Sequence, residues 1–269
     1  MTRVILLTST FLRHHHVANR VAAGLDLAGV WREEKSFVPA RYARSDEDHR
    51  VIAAHFDARD RAEAAAFGAD ADLRLPAGAV VRTGAPGCIN DPAEIDRMAA
   101  LAPDVVLVFG TGLLRQAIID RFAGRIINLH LGLSPYYRGA GTNFWPLVNR
   151  EPEYVGATIH YLDAGIDTGP MIAHARPAIA TGDGPHEIGN KAITAAADVL
   201  VAAAVAHAAG GVRAVPQAGG GRLYQRKDFS AQAVRRLHEQ FETGMIEEYL
   251  SARDARDAAL SLLSLEPAA

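Results

Sequence analysis

VVLVFGTGLLRQAIIDRFAGRIINLH, residues 105–130, decides the fold. Val105 to Gly110 and Arg125 to His130 are short apolar runs of the kind buried on both faces of a sheet. Leu113 to Phe122, between them, reads as a short helix. Strand, helix and strand in such close succession imply parallel pairing through a right-handed crossover. Upstream, RVILLT (Arg3 to Thr8) is another buried run and reads as the first central strand. His16 to Ala28 comes next at helical spacing, and Gly29-Val30 leads into a short second strand before Arg32, giving a βαβ opening.

Ser45 to Phe67 reads as a long polar helix, with Ser45 and Asp48 as a capping-box variant and Gly68 as its stop. Its apolar positions Val51, Ile52, Phe56 and Phe67 are sparse, so it should lie on the surface or cover a cleft as a lid. Asp91-Pro92-Ala93-Glu94 starts a further helix that runs to about Leu101. Downstream, GATIHYL (Gly156 to Leu162) and MIAHARPAI (Met171 to Ile179) alternate in a way that suits the mixed edge of the same sheet. The Ala-rich stretch from His186 to Ala209 is a packing helix ended by Gly210-Gly211.

Gly219-Gly220-Gly221 is the most linker-like point, so the expected division is an α/β domain over 1–219 and a short helical C-terminal extension over 220–269. Leu223-Tyr224 suggests an extended piece, and Ser230 to Leu250 has helical spacing through Val234, Leu237, Phe241, Ile246 and Leu250. That apolar face must be buried, either on the domain or on a second copy in a homodimer.

Composition limits the function classes. The 269 residues are 49% hydrophobic and 22% charged, which excludes disorder and low complexity. With 28 Lys plus Arg against 31 Asp plus Glu, no bulk attraction to nucleic acid is expected. The N-terminal apolar run has no cleavage site after it, and no stretch approaches the length of a membrane span, so a cytoplasmic protein is expected. Cys88 is the single cysteine, read as a buried small hydrophobe.

Alternation along an interior strand places Asn128 and His130 on one face, with Ile127 and Leu129 on the other. The two polar side chains converge at the strand's carboxyl end, where open α/β sheets bind ligands. Alone, the pair reads better as a set of satisfied structural groups. Three motifs downstream give it more weight. Leu133-Ser134-Pro135-Tyr136-Tyr137-Arg138-Gly139, Gly156-Ala157-Thr158-Ile159-His160 and Asp167-Thr168-Gly169 come after Asn128-Leu129-His130 in order. In these four motifs the chain resembles the folate-dependent formyltransferase family, closely over residues 100–180 and by α/β pattern over the rest of 1–210. That family includes glycinamide ribonucleotide, methionyl-tRNA and amino-sugar formyltransferases and formyltetrahydrofolate hydrolases.

The resemblance implies a Rossmann-like α/β fold with a mostly parallel mixed sheet, and a catalytic trio of Asn128, His130 and Asp167. Formyl transfer needs donors for charge on the formyl oxygen and a group that is acid and base in turn. Asn128 and a protonated His130 would be the donors. Asp167 would be that acid and base, either holding His130 charged or positioning a water, and its proximity makes a raised histidine pKa the expectation. Asp167 otherwise reads as a turn residue of a Gly-rich loop. Thr158 and His160 are read as loop support rather than direct chemistry. The donor, 10-formyltetrahydrofolate, is implied to lie between Phe109, Gly110, Gly112, Leu113 and Leu114 on one side and Asp163, Ala164 and Gly165 on the other, held through backbone groups. No metal is implied.

Departures from the family pattern narrow the acceptor. The Gly-rich phosphate turn of the glycinamide ribonucleotide enzymes is replaced by Thr8 to His16. After Gly220 the chain offers helices rather than the β-barrel of the tRNA enzymes, and the first strand begins at Arg3, without the hydrolases' preceding domain. The expected reaction is therefore formyl transfer to a primary amine of a small molecule, most simply an amino sugar on a nucleotide carrier. An N-hydroxyornithine-like acceptor is the second choice, with hydrolysis or a non-catalytic folate-binding or nucleotide-binding scaffold behind it. Arg13, His14 and His15, at the start of the first helix, read either as contacts for an anionic acceptor or as a solvated loop. Arg138 and Gly139, with Asn143 and Trp145, are the other candidate acceptor contacts. Gly132 stands where the family usually has Ser, and Ala140-Gly141-Thr142-Asn143 replaces a Pro-containing continuation, which implies a remodelled acceptor pocket.

Overall fold

A computed structural model describes residues 1–34, 42–165, 167–217 and 219–268. In chain order the elements are β1 (Arg3–Ser9), α1 (Leu12–Gly24), β2 (Asp26–Glu33), α2 (Asp46–Phe67), β3 (Val80–Gly84), α3 (Pro92–Ala100), β4 (Val105–Phe109), α4 (Gln116–Arg121) and β5 (Ile126–Leu131). They continue with β6 (Tyr137–Gly139), α5 (Trp145–Val148), β7 (Ala157–Tyr161), β8 (Met171–Ala175), α6 (Pro185–Ala208), β9 (Arg222–Tyr224), α7 (Ala231–Glu242), α8 (Met245–Ser251) and α9 (Arg253–Ala258).

Among the described residues the main sheet runs β3-β2-β1-β4-β5-β7-β8. The first five strands are mutually parallel, and β7 and β8 close the edge antiparallel. The architecture is thus the mostly parallel, mixed α/β sheet with C-terminal helices that the sequence implied. Alternation sorts the core into two layers. Val4, Leu6, Ile127 and Leu129 meet α1 and α6 on one face, while Ile5, Leu7, Val106 and Ile126 meet α3 and α4 on the other. Asn128 and His130 continue the second face beyond Ile126, where the helical cover stops.

Two boundaries and one unforeseen strand differ from the sequence reading. The first helix spans Leu12–Gly24, not 16–28, because Leu25 and Leu27 alternate as the buried face of β2, which begins at Asp26. The fourth helix starts at Gln116, leaving 110–115 as a loop over the strand ends. The edge strand β3 starts with only two apolar residues, Val80 and Val81, and its middle residues are exposed, so hydrophobic pattern marks it poorly. Cys88 is half-buried against the second layer rather than fully enclosed.

The C-terminal helices do not stand apart. Ala233, Leu237, Met245, Ile246 and Tyr249 share a core with Trp145, Leu147, Val148, Val155, Ile179 and Ile188, and β9 pairs with β6. The amphipathic face that could have met a second copy is therefore covered by the chain itself. Gly244 (φ 76°) breaks the expected 230–250 helix into α7 and α8. α6 is long and apolar enough to cross a membrane by length and composition, contrary to the sequence reading. Its Ala192, Ile193, Ala196, Ala197 and Leu200 are buried in the fold, where it acts as a core helix.

Where α2, α6 and α7 meet, three histidine rings cluster. His55 lies 4.6 Å from His186 and 5.9 Å from His238 between ring centroids. Burial, followed by the neighbouring histidines, pushes His55 down to about 3. Burial likewise takes His186 to about 4. Both folded-state values lie below the ordinary histidine value of about 6.5, so the unfolded chain binds more protons between. Their contribution is intact above about pH 6.5 and is lost as pH falls through that value toward about 4 for His186 and about 3 for His55. Thermal unfolding should show a falling Tm over that range, with His55→Gln flattening the slope by on the order of 1 kcal/mol at pH 5.

Candidate active site

The antiparallel pairing of β5 with β7 sets Asn128 opposite His160 and His130 opposite Thr158. His160, only 2% exposed, donates from Nδ1 to the Tyr161 carbonyl at 2.8 Å. Its Nε2 is then left as an acceptor, which receives Asn128 Nδ2 at 3.0 Å. One bond thereby fixes which way the Asn128 amide faces. Thr158 donates to the Gly132 carbonyl at 2.7 Å and accepts from the Ser134 backbone N–H at 2.9 Å, holding the turn after β5.

Asp167 reaches this pair from the loop between β7 and β8. Its Oδ1 lies 3.4 Å from His130 Nδ1 and 3.8 Å from His160 Nε2. The backbone of Asp167 is left-handed (φ 52°), an unusual conformation for a non-glycine residue. Asp163 braces the loop by accepting from Gly165 N at 3.0 Å and Thr168 Oγ1 at 2.7 Å. Gln217 braces it from outside, donating to the carbonyls of Asp167 and Gly169, each at 2.8 Å. Ile166 lies outside the described residues.

The expectation of a raised histidine pKa does not hold. Burial lowers the His130 pKa and outweighs the opposing pull of Asp167, and burial lowers that of His160 as well. His130 is therefore a neutral imidazole at neutral pH. With Nδ1 facing the carboxylate, the proton belongs there, and Nε2, buried without a partner, carries the lone pair.

All three residues line one cavity of about 1060 Å³. Phe109, Gly110, Gly112, Leu113 and Leu114 form one wall, and Asp163, Ala164 and Gly165 another. Glu33, at the end of β2, ties the first wall down by accepting from the backbone N–H of Gly112 at 2.6 Å and of Gly87 at 2.8 Å. Leu113 is 72% exposed at this wall, an apolar face without cover. Gly110 (φ 72°) has no room for a side chain, because a Cβ there would sit 2.4 Å from His14 Nε2.

The remaining wall comes from α2 and the loops facing it. His55, Phe56 and Arg59 of α2 line it, so the polar helix does cover the cleft. Of the candidate acceptor contacts, Arg13, His14, Gly139 and Trp145 also line it. Arg13 pairs with Glu63 and lies 4.6 Å over the Phe11 ring; burial lowers its pKa. His14 packs 4.9 Å from the Phe109 ring. Trp145 stacks on Tyr224 at 4.2 Å and donates to the Ala140 carbonyl at 3.1 Å, which fixes its ring.

Three candidates do not reach the cavity. His15 turns to the Ala71 carbonyl at 2.8 Å and to Arg32 at 3.2 Å. Asn143 accepts from the Gly156 backbone N–H at 3.0 Å and so serves the turn. Arg138 is held in β6, paired with β9, with its Nε buried. Sequence reasoning missed Glu33, His55, Arg59 and Gln217. None belongs to a motif, and only the folded contacts distinguish them from surface residues. Among the described residues no group of three or more His, Cys, Asp or Glu could hold a metal ion.

A family model described as formyl transferase matches residues 50–204, more than half of the chain. The chain belongs to the formyl transferase family. Solved structures with the same fold include an uncharacterised Mycobacterium tuberculosis protein considered a candidate sugar N-formyltransferase, 22% identical over 85% of this chain and 77% of that one, with a TM-score of 0.54. Glycinamide ribonucleotide transformylase 1 from Symbiobacterium toebii is 19% identical over 82% and 92%, also at 0.54. A 4-N formyltransferase from Francisella tularensis is 14% identical over 84% and 78%, at 0.52.

Within this family setting, Gly132 has a local cause. At φ 136° it passes Thr142 so closely that a Cβ would sit 2.5 Å from Thr142 Cβ and 3.3 Å from His130 Nε2. Thr142 in turn donates to the Leu131 carbonyl. Gly132→Ala should therefore destabilise the protein by about 1–3 kcal/mol. The check is chemical denaturation, with a midpoint shift at unchanged slope.

Proposed function

We propose that the chain transfers the formyl group of 10-formyltetrahydrofolate to the primary amine of an amino sugar carried on a nucleotide. The observation that carries the reading is the enclosed His130, its Nδ1 facing Asp167 and its Nε2 without a partner, beside Asn128 in a cavity with two walls of glycine-rich backbone.

The residues present fit the donor. Uncovered Leu113 offers an apolar face, and the backbone of 109–114 and 163–165 supplies hydrogen-bonding groups with few side chains in the way. When bound, the donor supplies an activated formyl carbon for the acceptor amine. Asn128 gives one amide hydrogen to His160 and keeps the other for negative charge developing on the formyl oxygen. His130 Nε2, with its lone pair, accepts the proton of the attacking amine and returns it to the leaving nitrogen. Asp167 keeps the His130 proton on Nδ1 and stabilises the imidazolium while it exists.

Three features support the acceptor class. Arg13 and Arg59, paired with Glu63 and Asp60, bring two guanidinium groups to this wall, each over an aromatic ring, Arg59 at 4.8 Å from the Phe56 centroid. Phe11, Phe56 and Phe229 line the same wall and offer faces for a planar base. Two neighbours in fold are described as sugar N-formyltransferases, one of them as a candidate.

The test is release of tetrahydrofolate from 10-formyltetrahydrofolate in the presence of nucleotide-linked amino sugars, N-hydroxyornithine or glycinamide ribonucleotide. Turnover with an amino sugar is expected. Turnover with glycinamide ribonucleotide alone, or release that no amine accelerates, would overturn the reading. Asn128→Ala and Asp167→Ala should each lower kcat about 100-fold or more while donor binding by calorimetry changes less than about threefold.

A further inference from the structure

Gln217 belongs to no motif and sits outside the cavity, on the segment between α6 and β9. That segment is fixed before it reaches Gln217. Val215 and Met171 exchange both backbone hydrogen bonds at 2.8 Å, which adds an antiparallel contact at β8. Just before it, Val212 bridges Pro267 of the C-terminal tail, and the tail is tied to β8 by His174 N donating to the Leu263 carbonyl at 2.9 Å. From this anchored strap the Gln217 amide reaches the Asp167 loop and gives its two N–H groups to the carbonyls of Asp167 and Gly169, both at 2.8 Å.

The loop needs this. Asp167 holds a left-handed backbone that costs on the order of 1 kcal/mol for a non-glycine residue, and its carbonyl would otherwise compete for water. At the other end of the turn Gly169 passes so close to the Tyr161 carbonyl that a Cβ would lie 1.7 Å away. The turn is thus pinned on one side by β7 and on the other by Gln217. The Gln217 amide donates both hydrogens from one uncharged nitrogen. A glutamate would set a carboxylate against two carbonyl oxygens.

We propose that Gln217 is a positioning residue for the reaction: by clamping the backbone on both sides of Thr168, it holds the Asp167 carboxylate against His130 Nδ1. This rests on the reading of Asp167 as the partner that orients His130 during formyl transfer. Asp167 and His160 are the titratable groups that act on the His130 ring. If the carboxylate drifts, the His130 proton loses its reason to stay on Nδ1, and the ring reverts toward the Nε2–H form. The base then points its lone pair the wrong way, although the fold is intact.

The test needs no acceptor. In the full chain labelled with ring-15N histidine, with His130→Gln used to assign the signal, the nitrogen shifts near neutral pH report the tautomer directly. The native protein should hold His130 mainly as Nδ1–H. Gln217→Met, similar in length but without donors, should move the ratio toward Nε2–H by about tenfold, the equivalent of one hydrogen bond to a charged group. Asp167→Asn should move it as far. Gln217→Glu should behave like Gln217→Met and covers the case in which methionine at 217 fails to fold. A native tautomer ratio in a folded Gln217 variant, alongside a changed ratio in Asp167→Asn, would refute the role of Gln217 and leave the reading of Asp167 standing. An unchanged ratio in Asp167→Asn would refute that reading, and the proposal with it.

Discussion

The hydrogen bond from Asn128 Nδ2 to His160 Nε2 depends on the point where the sheet changes direction, and the site is organised around it. β5 is the last parallel strand and β7 the first antiparallel one, so their polar faces meet across a single ladder. A shift of one residue would turn Asn128 and His130 into the α1/α6 core and expose Ile127 and Leu129. Burial of those two residues, near zero exposure each, therefore fixes the register that presents the chemistry. Nor is His160 a free histidine: its tautomer is set by the Tyr161 carbonyl, and that setting reaches Asn128 through the ring.

Burial also decides the charge state. A carboxylate near an imidazole favours the imidazolium, and from sequence proximity alone His130 would be read as charged. The folded site reverses that balance because the ring is enclosed, and the desolvation penalty exceeds the attraction of Asp167. In the proposed reaction a neutral ring with its lone pair on Nε2 serves as base from the outset, and the carboxylate orients the ring and stabilises the charge only once a proton has arrived.

Much of the fold is legible in the chain because buried parallel strands carry unmistakable runs, as at Val105 to Phe109 and Arg3 to Thr8. The caps of α2 and α3 are equally plain: Ser45 accepts from Asp48 N at 3.1 Å and Asp91 from Ala93 N at 3.0 Å. The exposed edge strand β3 is not legible, since Val80 and Val81 are followed at once by Arg82, Thr83 and Gly84. Asn128, His130 and Asp167 stand out through ordered motifs, and the structure brings them together. The cavity wall opposite is not readable in the same way. Arg13 and His14 reach it while His15 turns away, because helical geometry sends adjacent side chains in different directions. Glu33 and Gln217 act on backbone groups more than 45 residues away, contacts that no local pattern encodes.

The central claim is that the formyl donor occupies the crevice between residues 109–114 and 163–165, with its reactive nitrogen beside Asn128 and His130. A crystal structure of the protein with tetrahydrofolate measures this directly. The account predicts the pterin between those two walls and N10 within about 4 Å of Asn128 Nδ2 and His130 Nε2. A pterin stacked instead on Phe56 and Phe229 against α2, with N10 away from Asn128, would contradict it.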